Sequence, residues 1–133
     1  MGPAHLLGAK IALVEHRYEA PEVVNFPPLS RWDTIASARA QSIATGVWAL
    51  SALRRGLVAD PSDLIARLRS VFERAKCAGN QDFPAFALFE MIRATGDELL
   101  ASTILRRYVD RERRERSPLP PFLAVAYGSL AMG

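Results

Sequence analysis

The chain holds 133 residues, half of them apolar and 23 % charged, with one cysteine and a net charge of +3. That length suits one domain that buries a core without disulfide or metal staples, and the composition excludes a disordered chain. Cys77 alone excludes an intrachain disulfide.

The charge is local. Residues 106–116, RRYVDRERRER, carry six arginines against Asp110, Glu112 and Glu115 and so hold +3, while the other basic and acidic residues cancel at eleven each. An electrostatic function would therefore belong to one segment and not to the whole surface. Only Lys10 and Lys76 are lysines among the 17 basic residues, a bias that fits a GC-rich, bacterial genome.

The opening MGPAHLLGAK lacks the charged start and long apolar run of a secretory signal, so a cytoplasmic protein is expected. Residues 8–18, GAKIALVEHRY, alternate loosely and read as a short strand with Ile11 and Leu13 on one face. Pro21, Pro27 and Pro28 follow, and residues 1–29 are expected to form an extended N-terminal arm around that strand. Residues 30–133 are expected to form the helical domain.

Ser30 with Asp33 reads as the capping box of a first helix, and Gly56 after Arg54-Arg55 as its stop. The second helix opens at Asp60-Pro61 and carries Leu64, Ile65, Leu68, Val71, Phe72 and Ala75 at helical spacing, ending near Gly79. The third covers residues 83–94, and the fourth starts at Thr95 with Glu98 as capping partner and stops by Pro118. The tail, SPLPPFLAVAYGSLAMG, returns to the core as a helix or as a strand beside residues 10–16. The pattern predicts an all-α bundle of four to five helices.

Motifs for chemistry are absent. His5 and His16 are not at metal-ligand spacing, Cys77 has no neighbouring histidine, and no phosphate loop, dinucleotide turn or nucleophile elbow occurs. No catalytic residue, metal or cofactor is expected. Residues 40–53 are too short and too polar to cross a membrane.

The first helix carries a clue of another kind. One face presents Trp32, Ile35, Ala36, Ile43, Val47, Leu50 and Leu53. The other presents Ser37, Gln41, Ala44, Trp48 and Ser51, small or uncharged residues around a tryptophan. Surface helices normally carry charge there, so either the chain covers this face itself or a protein partner, including a second copy, packs on it. Arg39 is expected at the rim or paired with a carboxylate.

On the fourth helix Leu100, Ile104, Leu105, Tyr108 and Val109 mark the core side. Arg106, Arg107, Arg113 and Arg114 lie opposite, with Arg111 at the flank. Asp110–Arg114 and Glu112–Arg116 are acid-first pairs four apart. Glu112 and Glu115 interrupt the core stripe, which predicts that the last two turns project beyond the body. Phe83, Phe86 and Phe89 lack interleaved cations and are expected to pack the core, not to stack on bases.

Residues 89–100, FEMIRATGDELL, resemble the helix junctions of phage-type helix-turn-helix regulators, a likeness of twelve residues that implies DNA binding without assigning residues. The leading expectation is a non-enzymatic adaptor or regulator acting through helix packing and self-association. The alternative is a nucleic-acid-binding regulator using the arginine face.

Overall fold

Pro3 at the first helical position, followed by Ala, Leu and Lys, starts the chain as a helix and not as a strand. The computed structural model describes residues 3–33, 37–75, 81–115 and 120–132, with side chains 3–5, 33, 113, 115 and 129–132 outside that description. Helix α1 spans Pro3–Val14. The expected strand or extended arm over residues 1–29 is thereby corrected. The physical reason is that α1 is apolar on nearly every side, and so short an apolar run has no period to separate helix from strand.

Two hydrogen bonds close α1, Arg17 N–H to Ala12 C=O at 2.8 Å and His16 N–H to Leu13 C=O at 3.2 Å. His16 occupies the left-handed position between them, with φ 61°, where glycine is the usual choice. Ala9, Ala12 and Leu13 are buried, whereas Leu7 and Ile11 face out.

Two one-turn helices follow, α2 over Pro21–Val24 and α3 over Ser30–Asp33. Phe26 stacks on Trp32 at 5.6 Å, and Gln41 Nε2 donates to the Trp32 carbonyl at 3.3 Å, tying α3 to the next helix. That helix, α4, spans Ala38–Arg54 and is capped by Ser37, whose Oγ accepts from Ala40 N–H at 3.2 Å. The cap is therefore Ser37 and not Ser30. Gly56, at φ 70°, ends α4 through Leu57 N–H to Ala52 C=O at 2.9 Å, as its position suggested.

Helix α5 spans Ser62–Arg74, with Asp60 Oδ1 accepting from both Ser62 N–H and Ser62 Oγ. Helix α6, Asp82–Ala94, is buried from Asp82 through Phe89. Thr95 closes α6 by donating to the Ile92 carbonyl at 2.6 Å, and Asp97 caps the following helix by accepting from Leu100 N–H at 3.1 Å. Helix α7 spans Glu98–Glu115, so its cap is Asp97 and not Thr95. Helix α8, Pro121–Met132, resolves the tail as a helix, burying Leu123 and Ala126.

The fold is all-α, with six long and two one-turn helices and no strand among the described residues. Helix α4 is the centre, packed against α1, α3, α5 and α6. Its small residues let α6 approach: a Cβ on Gly46 would lie 3.3 Å from the Phe83 ring. Phe83, Phe89, Leu88 and Met91 fill the interior, each worth about 1.5–3 kcal/mol on burial.

Candidate functional site

The uncharged face of α4 is largely covered by its own chain. Ala44, Thr45 and Ser51 are buried, so Ala44 and Ser51 offer no surface to a partner. Ser37 is spent on the helix cap, and Gln41 is half-buried with its amide on Trp32. Of the five, Trp48 is the one large side chain with a substantial outer surface, at 37 % exposure, beside the exposed but small Ser37. Arg39 reaches the exterior.

The arginine helix also departs from expectation. Glu112 is only 4 % exposed, below buried Val109, so α7 stays on the body through that turn and does not project from Asp110 onward. Helix α8 supplies the reason, because it packs against both α6 and α7 and extends the core there. Arg111 Nη2 lies 3.6 Å from Glu112 Oε1, which offsets part of the cost of the buried acid. Arg114 donates through Nε to the Asp110 carbonyl at 3.3 Å, a backbone contact in place of the expected Asp110–Arg114 carboxylate pair. Arg113 and Arg116 lie outside the described side chains.

Packing brings one further arginine to this face. A cleft of about 230 Å³ runs between α5 and α7 beside Leu88 of α6, with Arg69 and Glu73 on one wall and Arg107 and Arg111 on the other. Phe72 and Tyr108 meet between the walls at 6.0 Å. The Arg111 guanidinium sits over the Tyr108 ring at 5.7 Å, which holds it half-buried and oriented. Three guanidinium groups face the Glu73 carboxylate in the lining, and with Glu112 paired to Arg111 the face keeps one net positive charge. Arg106 and Arg114 stand exposed on the same helix.

Nothing in the local sequence of α5 marks Arg69 as different from Arg67 or Arg74. Only the way α5 and α7 flank α6 selects it. The face suits phosphate or carboxylate groups, since guanidinium forks match both bidentately. Tyr108 and Phe72 are buried, so neither ring is available to stack on a base.

A second cleft, of about 400 Å³, lies between α1, the first turn of α6 and the start of α8. Leu7, Ile11, Val14, Phe83 and Phe122 line it, with Lys10, Glu15 and Asp82 as its charges. Burial pushes the Lys10 ammonium below its usual range and the nearby Arg39 charge adds to this, while Asp82 partly opposes both.

The two clefts share a hydrogen-bonded link. Tyr108, whose ring borders the arginine cleft, donates to Asp82 Oδ1 at 2.6 Å and accepts from Gln81 N–H at 3.1 Å. Burial raises the Tyr108 phenol far above its usual range, and the Asp82 bond, made to the protonated form, raises it further. The phenol is therefore a fixed donor at physiological pH. It is a strut between α6 and α7.

No cluster of three metal-ligating side chains occurs among the described residues, and no helix there is long and apolar enough to cross a membrane. No protein-family model, curated protein or solved structure matches the chain.

Proposed function

We propose that the protein is a non-enzymatic binding module that holds the phosphate backbone of a nucleic acid on the α5–α7 face. The observation that carries this reading is the convergence of Arg69 with Arg107 and Arg111 in one cleft, from helices distant in sequence. A lone charged helix end is usually only solvated. Here Arg111 is oriented on Tyr108 and two walls contribute cations, an arrangement that a solvated helix end does not require.

Because the cleft offers no exposed ring, binding is expected to be independent of base sequence and strongly dependent on salt. Three phosphate contacts on a single strand correspond to a log–log salt slope of about −2, with affinity in the micromolar range or weaker at physiological salt, roughly 10⁻⁴ to 10⁻⁶ M. Fluorescence anisotropy with labelled single-stranded and duplex oligonucleotides, titrated at two salt concentrations, tests it. Binding that ignores salt, or that survives the Arg69→Ala/Arg107→Ala variant unchanged, refutes it.

A second reading, self-association or a protein partner through α4, rests now on Trp48 alone, exposed on a helix whose other small-face residues are mostly covered. Aromatic side chains are enriched in interface cores. Light scattering across a concentration series is the measurement. Self-association predicts a dimer that Trp48→Glu dissolves, and a monomer at all concentrations removes the reading.

A further inference from the structure

We propose that the cleft between α1, α6 and α8 binds a medium-chain carboxylate, its hydrocarbon tail among Leu7, Ile11, Phe83 and Phe122 and its head group on the Lys10 ammonium. This goes beyond the polyanion reading and stands on different residues. The cleft measures about 400 Å³, toward the small end of ligand pockets, which span roughly 300–1,000 Å³. That size suits one short chain and not a two-tailed lipid. Its lining is mostly apolar, and it opens at the outward faces of Leu7 and Ile11, so a flexible chain has a way in.

The charges in the lining decide the polarity of the head group. Glu15 is held by Arg17, with Nη2 at 2.8 Å and Nε at 3.0 Å from the same carboxylate oxygen. Asp82 accepts from Tyr108 at 2.6 Å. Glu15 is thus offset by its own arginine, while Asp82 has one oxygen satisfied and keeps its charge. Lys10 is half-buried, and its ammonium makes no hydrogen bond and no ion pair within 4.0 Å among the described residues. A half-buried ammonium with open donors is costly to keep, and a bound carboxylate would supply the missing acceptor. An amine head group would instead meet the Lys10 ammonium as a like charge.

Isothermal titration of the full chain with decanoate, decanol and decylamine, each below its micelle concentration, distinguishes these cases. Decanoate is expected to bind at least ten-fold more tightly than either of the others. Lys10→Met keeps the apolar stem and removes the charge, so decanoate should fall to the affinity of decanol while decanol is unchanged. Chemical-shift changes on the Leu7 and Ile11 methyls should accompany decanoate binding. Equal affinity for decanoate and decanol, preference for decylamine, absence of binding, or shifts confined to other methyls each overturn the proposal. Should Lys10→Met fail to fold, the ranking of the three ligands on the unaltered chain still decides.

Discussion

The two clefts share α6 as a wall and are linked through the Tyr108–Asp82 bond, yet they differ in what holds them open. The α5–α7 cleft keeps Arg69 and Arg107 at the surface, where like-charged guanidinium groups are screened and each costs little. The α1–α6–α8 cleft keeps one cation partly out of water among apolar walls, where its charge is expensive. The difference teaches where stability and binding should separate. Charge at the rim should be removable with little effect on the fold, whereas the walls of the apolar cleft belong to the core itself.

The largest contrast should come from Phe83, which lines the apolar cleft and packs against Gly46 of α4. Phe83→Ala is expected to cost about 3–5 kcal/mol in chemical denaturation. Arg107→Ala, on the charged cleft, should stay within about 0.5 kcal/mol. Comparable losses in the two variants would erase the distinction between the clefts.

Tyr108→Phe tests the strut between them. Removing the hydroxyl deprives Asp82 and the Gln81 N–H of their shared partner, with an expected cost of about 1–3 kcal/mol. A denaturation midpoint equal to that of the unaltered chain would show that the link carries no energy.

Lys10 should act in the opposite direction. Its affinity for a proton is lower folded than unfolded, so the unfolded chain binds more protons in the window between its folded value and the usual value near about 10.4. Stability contributed by this group therefore rises with pH through that window, and the charged form is a burden at neutral pH. Lys10→Met should raise the melting temperature modestly at pH 7 and flatten that alkaline rise. A lower melting temperature would mean that the ammonium is well satisfied in the folded chain.

The smallest effect belongs to Glu73, the carboxylate in the arginine cleft. Glu73→Gln should tighten oligonucleotide binding a few-fold at low salt and lose that advantage as salt rises. An unchanged affinity would place the nucleic acid elsewhere on the surface.

Much of the fold could be read from helix punctuation. Gly56 ends α4, the Asp60-Pro61 turn precedes α5 with Pro61 at its cap, and the apolar stripe through Leu68, Val71 and Phe72 turns inward as its spacing requires. The terminal helices α1 and α8 could not, because both are apolar all round and lack any period. The α4 face misled for a related reason. Small residues signal a close helix–helix approach without saying whose helix approaches, and here it is α6 of the same chain, meeting Gly46. On the arginine face, Arg107 and Arg111 were visible in a charged run. Arg69 was not, because its membership depends on how α5 and α7 flank α6. Lys10 was equally silent, since its burial depends on a helix the sequence pattern did not mark.

Arg69 is therefore where the central claim is most exposed. Anisotropy of a labelled single strand, measured across a salt series for the unaltered chain, Arg69→Ala and Arg107→Ala, tests it most directly. Arg69→Ala is expected to weaken binding at low salt about as much as Arg107→Ala and to reduce the salt slope by about 0.7, one phosphate contact. Binding by Arg69→Ala equal to that of the unaltered chain, or no binding by the unaltered chain at low salt, would contradict it.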